Sequence, residues 1–180
     1  MIAEAAWQEF SLRKVLFIPS GDTPNKDMHH IDKNIRYAMV EKAIEGNGHF
    51  MISPIERDRQ GPSYTVDTIR ILQREFGDDY EFYFICGTDA VADLPTWKYN
   101  RELLSACQFI CASRPGNENE IQKSIDYIGE LGREKIHFLK TPELAISSTI
   151  LRDWIAEKRS VRYLIPDAVI DMIRSNKLYE

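Results

Sequence analysis

No stretch of this chain stays apolar for the roughly 18 to 20 residues that a membrane-crossing helix requires. No leader is visible either, because Met1-Ile2-Ala3-Glu4 is already amphipathic and acidic. These absences predict a cytoplasmic protein without a membrane partner. Cysteine is scarce: Cys86, Cys107 and Cys111 are the three, and none forms a Cys-x-x-Cys pair. An odd number of thiols in apolar runs predicts buried free cysteines in a reducing compartment. Positive charge is in deficit. A net charge of −5 argues against a broad nucleic-acid surface, although a local basic pocket remains allowed. Repeats, low-complexity segments and linkers are also missing. What is present is 180 residues, 43% hydrophobic and 28% charged, which predicts one globular domain over residues 1–180 with a real core.

Short apolar runs alternate with helical periodicity. The spacing predicts strands at Val15–Ile18, Phe50–Ile52, Glu81–Cys86, Phe109–Ala112 and Ile136–Leu139. Helices are predicted over 2–12, from a cap at Asp32 to about Glu45 with Ile35, Met39 and Ala43 inward, and from a Ser63 cap over Tyr64–Phe76. Others follow at 101–107, 118–131, from Ser147 onward, and about Pro166–Asn176. Strands apolar on both faces and joined by helices imply an α/β fold with one parallel sheet flanked by helices. Ligands of such folds bind beyond the carboxyl ends of the strands. That directs attention to Pro19-Ser20-Gly21, Gly87-Thr88-Asp89, Arg114-Pro115-Gly116 and the segment after Leu139.

Several polar groups stand at those ends. Ser147-Ser148-Thr149 opens a helix with Arg152 one turn on. Hydroxyls, helix-start N–H groups and an arginine on the same side suit a phosphate, and they equally suit a capped helix with a surface arginine. Gly87-Thr88-Asp89 joins a residue that lets a ligand approach the backbone to a carboxylate placed to accept from ribose hydroxyls; Asp89 also fits a helix cap. Trp97, in Leu94-Pro95-Thr96-Trp97, is either a stacking ring or a core residue. Lys26 lies on the loop after the first strand, where a solvated lysine is the simpler reading. His29-His30 lack neighbouring Cys or Glu ligands, so no metal site is expected. His49, His137, Trp7 and Trp154 read as structural.

Taken together, these blocks resemble the bacterial nicotinate-nucleotide adenylyltransferase family. The matching stretches, in the family's order, are Phe17-Ile18-Pro19-Ser20-Gly21 leading to Pro24-Asn25-Lys26, Gly61-Pro62-Ser63-Tyr64-Thr65, Phe84-Ile85-Cys86-Gly87-Thr88-Asp89, Leu94-Pro95-Thr96-Trp97, Ser113-Arg114-Pro115-Gly116 and Ile146-Ser147-Ser148-Thr149-Ile150-Leu151-Arg152. The resemblance implies a Rossmann-like nucleotidyltransferase fold. It also implies adenylyl transfer from Mg²⁺-bound ATP to nicotinate mononucleotide, giving nicotinate adenine dinucleotide and pyrophosphate in NAD biosynthesis. Arg152 and Lys26 would be catalytic, acting on the reacting phosphates. Ser147, Ser148, Thr149, Gly87 and Asp89 would complete the ATP site. Thr65, Trp97 and Arg114 would hold the acceptor's carboxylate, ring and phosphate.

The chain departs from the family pattern twice. Asn25 stands where the family has a histidine in Pro-Pro-His-Lys. No residue matches the family's opening Gly-Gly-Thr/Ser-Phe-Asp-Pro-x-His-x-Gly-His strand-turn, so the resemblance implies an N-terminally truncated chain whose first, central strand precedes Met1. That departure keeps open a nucleotide-binding relative without catalysis. Nicotinamide mononucleotide and phosphopantetheine are the alternative acceptors.

Overall fold

A computed structural model of the protein describes residues 1–21, 31–112, 118–142 and 146–179. In chain order the elements are α1 (Ile2–Glu9), β1 (Val15–Phe17), α2 (Lys33–Ile44), β2 (Phe50–Ile52), α3 (Thr65–Phe76), β3 (Tyr83–Gly87) and α4 (Thr88–Asp93). A 3₁₀ turn (Leu94–Thr96) leads to α5 (Asn100–Ala106), β4 (Gln108–Ala112), α6 (Glu118–Ile128), α7 (Glu130–Lys135), β5 (Ile136–Leu139), α8 (Ser148–Ala156) and α9 (Asp167–Ser175). All five predicted strands form, and every pairing between them is parallel.

The single predicted sheet is instead two: β1 with β2, and β3, β4, β5 in that order. The described residues fall accordingly into two compact units, Met1–Arg13 with Ser63–Glu143, and Lys14–Pro62 with Leu144–Glu180.

The first unit is built on β4, which pairs on both sides, so Phe109, Ile110 and Cys111 are wholly buried. Because successive strand side chains alternate between faces, Ile110 meets one layer and Phe109 the other. Ile110 and Leu139 pack against Ala6 of α1, with Ile2, Ala5 and Phe10 around them. Phe109 meets Phe84 edge to face, ring centroids 5.3 Å apart. Helix α3 buries Val66, Ile69 and Leu72, a stripe at helical spacing. It packs against α5, where Gln73 Nε2 donates to the Ala106 carbonyl at 3.1 Å and Arg70 joins Asp67 to Glu102.

In the second unit β1 and β2 pair from Val15↔Phe50 to Phe17↔Ile52. The Phe17 and Phe50 rings lie 5.0 Å apart. Helix α2 packs on β2 and on α9, which buries Val169, Ile170 and Ile173.

Local chemistry explains where the elements end. Asp32 caps α2 as expected, accepting from Asn34 N–H at 2.8 Å, and that hydrogen bond holds its carboxyl below the usual range. Ala43 is exposed rather than inward. The predicted helix over 118–131 is two helices, because Gly129 takes φ +82 and ψ −142, a left-handed conformation open to glycine and outside any helix. Ser63 does not cap α3: Tyr64 occupies the N-cap position without a side-chain cap, and the Ser63 hydroxyl is buried without a partner. Strand β3 runs to Gly87 and starts two residues later than predicted, at Tyr83. Glu81 instead uses its carboxylate to accept from Tyr83 Oη and Gln108 Nε2. Cys107 and Cys111 are buried as predicted, whereas Cys86 is half-buried.

Candidate functional site

In the first unit the carboxyl end of β3 runs directly into α4, so Gly87, Thr88 and Asp89 form one continuous turn. Gly87 has φ −89 and ψ 172, a conformation any residue adopts. A Cβ there would meet nothing within 4 Å. Neither backbone nor packing demands glycine at 87, and open space lies where a side chain would stand. The neighbouring Thr88 is buried, and its Oγ1 has no hydrogen-bond partner. Asp89 is exposed.

The Leu94-Pro95-Thr96-Trp97 turn is held from within. Thr96 Oγ1 donates to the Asp93 carbonyl at 2.7 Å, and Asn100 Nδ2 donates to the carbonyls of Leu94 and Pro95 at 3.2 and 3.0 Å. Trp97 is half-buried and stands edge-on to Phe84, centroids 6.0 Å apart and planes at 77°. It therefore serves neither as a core tryptophan nor as an unsupported surface ring.

Lys98 links this turn to the start of α3. Its ammonium lies 4.9 Å from the centre of the Tyr64 ring and 5.0 Å from that of Tyr99, within the range of cation–π attraction. Tyr64 precedes Thr65, the first residue of α3. Through this contact the structure brings the region of Thr65 next to that of Trp97, with a positive charge beside both. Lys98 was not singled out by sequence; an exposed lysine after a tryptophan carries no signal until Tyr64 is placed against it.

In the second unit Ser147 is the N-cap of α8, its Oγ accepting from Ile150 N–H at 3.2 Å. The capping reading therefore holds. It leaves the phosphate reading intact, because a hydroxyl that accepts through a lone pair still has its proton to donate. Ser148 and Thr149 are exposed and Arg152 is half-buried. Arg152 Nη2 donates to Thr149 Oγ1 at 3.4 Å, so the guanidinium turns back toward the helix start, as i,i+3 neighbours allow. Replacing Ser147 by alanine should cost about 1 kcal/mol of stability. That appears as a drop of about 2–4 °C in the thermal midpoint, measurable by circular dichroism. An unchanged midpoint would show that the cap contributes nothing.

Arg36 of α2 is a second residue that sequence reasoning missed. It donates to Ser20 Oγ at 3.4 Å and to the Gly21 carbonyl at 3.1 Å. It thereby ties down the end of the Pro19-Ser20-Gly21 segment. Lys26, His29, His30 and Arg114 lie outside the described residues. Among the described residues no three His, Cys, Asp or Glu side chains gather as a metal-binding group, and no helix is long and apolar enough to cross a membrane. A cavity of about 370 Å³ opens at the other end of β3 and β4, lined by Asp78, Asp79, Tyr80 and Glu81 among others. None of the predicted residues lines it.

Three comparisons with known proteins bear on this arrangement. The sequence model of the cytidylyltransferase-like family matches residues 1–153. The chain is 44% identical over 179 residues to a Moorella thermoacetica protein described as a probable nicotinate-nucleotide adenylyltransferase, spanning 98% of this chain and 82% of that one. A Thermoanaerobacter protein of the same description is 42% identical over 180 residues, spanning 99% of this chain and 85% of its own. Two solved structures of the Plasmodium falciparum nicotinic acid mononucleotide adenylyltransferase share the fold. The one complexed with APC matches at TM-score 0.71 and 18% identity, the one with NaAD at 0.75 and 19%; each alignment covers 99% of this chain and 90% of that one.

Proposed function

The chain belongs to the nicotinate-nucleotide adenylyltransferase family, and on that footing we propose that it transfers the adenylyl group of ATP to nicotinate mononucleotide. A phosphate oxygen of the mononucleotide attacks the α-phosphorus of ATP. The bond from that phosphorus to the bridging oxygen breaks, and pyrophosphate leaves. No covalent enzyme intermediate is needed, so the protein contributes positioning and charge neutralisation.

Arg152, with Ser147, Ser148 and Thr149 at the start of α8, is assigned to the ATP phosphates, together with Lys26. Gly87 and Asp89 are assigned to the adenosine ribose, the open space at Gly87 admitting it. Trp97 is assigned to the nicotinate ring, Thr65 to its carboxylate and Arg114 to the mononucleotide phosphate. Mg²⁺ arrives as part of the Mg–ATP substrate, bound to the triphosphate. In this reading residues 1–180 act as one nucleotidyltransferase domain. Its three cysteines are free thiols, which suits the cytoplasm.

The observation that carries the choice of acceptor is the Lys98 ammonium against Tyr64, beside Thr65 and Trp97. A flat ring next to a fixed cation fits an aromatic acid better than its neutral amide. The test measures pyrophosphate release with ATP and each of nicotinate mononucleotide, nicotinamide mononucleotide and phosphopantetheine, with mass detection of the dinucleotide. Fastest turnover with nicotinate mononucleotide is expected. Nucleotide binding by calorimetry without pyrophosphate release would select the non-catalytic alternative. Lys98→Met should lower kcat/KM for nicotinate mononucleotide about 10-fold, the loss of about 1.4 kcal/mol of charge interaction. It should leave nicotinamide mononucleotide unaffected. An equal change for both acceptors would remove Lys98 from acceptor choice.

A further inference from the structure

Two thiols of the first unit take no part in the chemistry above. Cys86 of β3 and Cys111 of β4 are in-register partners on neighbouring parallel strands, as are Phe84 and Phe109 two residues earlier. The Phe84 and Phe109 rings touch at 5.3 Å, and residues two apart in a strand share a face. The pleat therefore sends both sulfurs to the same side of the sheet. Adjacent strands lie about 4.8 Å apart, inside the roughly 4.4–6.8 Å Cα separation that a disulfide spans. Cys107 offers a contrast. It donates to the Leu103 carbonyl at 3.4 Å and precedes Gln108, the first paired residue of β4, so no cysteine stands opposite it.

We propose that Cys86 and Cys111 form a reversible disulfide in response to peroxide, and that the bridge displaces the Gly87-Thr88-Asp89 turn and weakens ATP binding. The first part stands on the strand register alone; the second rests on the assignment of Gly87 and Asp89 to ATP. Cys86 is the half-buried member of the pair and Cys111 the fully buried one, so the oxidant meets Cys86. One peroxide oxygen passes to the Cys86 sulfur, giving a sulfenic acid and water. The Cys111 sulfur then attacks that sulfur: the S–S bond forms, the S–O bond breaks, and the departing hydroxyl takes the Cys111 proton as a second water. Two thiols and one peroxide thus give one disulfide and two waters, with two electrons passing to the peroxide. The hydrogen bond from Cys86 holds the Cys111 thiol below its ordinary range, which favours Cys111 as the attacking sulfur. The neighbouring Cys111 thiol and burial push the Cys86 thiol up, so its oxidation is slower than that of an exposed cysteine.

The consequence for ATP is geometric. Side chains of in-register parallel partners stand about one strand spacing apart, whereas disulfide Cβ atoms average about 3.8 Å. Bridging must draw together the ends of β3 and β4. Cys86 is covalently joined to Gly87, so the turn moves with it.

The test treats the protein and its Cys107→Ser variant with hydrogen peroxide, blocks remaining thiols, and maps unreduced digests by mass spectrometry. The Cys107 substitution leaves Cys111 as the only cysteine in its tryptic peptide. The expected product is the Cys86 and Cys111 peptides linked with loss of two hydrogens, absent from Cys86→Ser, and undone by dithiothreitol. ATP affinity by calorimetry should fall about 10-fold on oxidation, the scale of a small misplacement of binding groups, and recover on reduction. Singly blocked or sulfinic Cys86 and Cys111, or links between chains, would overturn the disulfide. A bridge that forms without changing ATP affinity would overturn its effect on binding. Failure of the reduced protein to bind ATP would instead sink the functional reading, with the linked peptides still measurable.

Discussion

Arg152→Ala should lower kcat/KM for adenylyl transfer about 100- to 1,000-fold while leaving the fold intact. The size follows from the chemistry assigned to it. Charge develops on the phosphate oxygens as pyrophosphate departs, and removing one preorganised donor at such a centre costs about 2.7–4 kcal/mol. The intact fold follows from the structure. Arg152 is half-buried, and its hydrogen bond is to the exposed Thr149 hydroxyl, so its loss strands no buried group. A stability change within about 0.5 kcal/mol is expected. Arg152→Lys should recover part of the rate, because lysine keeps the charge but not the two-pronged donor geometry. Steady-state kinetics with varied ATP, alongside a denaturation curve, reads both effects. Activity within about threefold of the parent would leave Arg152 as a surface residue and Ser147 as an ordinary helix cap.

Phe109→Ala is the largest expected loss of stability, about 3–5 kcal/mol. Phe109 is fully buried in the one strand of its sheet that pairs on both sides. Its ring supports Phe84 at 5.3 Å, and Phe84 in turn supports Trp97 at 6.0 Å. Removing it opens a cavity that close-packed neighbours fill only in part. Against a total stability of about 5–15 kcal/mol, the variant should be marginally folded at 37 °C. Phe109→Leu keeps most of the volume and should cost less than about 1.5 kcal/mol. It separates packing from acceptor binding: if the Phe84 relay positions Trp97, even this milder variant raises KM for the mononucleotide. A Phe109→Ala protein within about 1 kcal/mol of the parent would contradict the packing described here.

Much of this was legible in the order of residues. Five apolar runs bounded by Pro, Gly and polar residues marked all five strands, although only β4 is buried at consecutive positions, while Met51 of β2 and Phe138 of β5 are exposed. Asp32 and Ser147 marked helix starts because their short side chains reach a backbone N–H two or three residues on. Such signals act over a few residues and survive without tertiary context. Ser63 shows where they stop. It has the chemistry of a cap, yet the helix starts one residue further on and its hydroxyl is buried alone.

The sequence by itself determined the α/β class, the parallel strands and the residue types at the strand ends, because each is written in local spacing and composition, and its six ordered motif blocks carried the resemblance to the family. Only the tertiary structure decided which strands pair, that Lys98 meets Tyr64, that Arg36 holds the segment after β1, and that Cys86 stands opposite Cys111. Those facts join residues 15 to 35 positions apart. They depend on sheet register and helix packing, which a linear pattern does not encode.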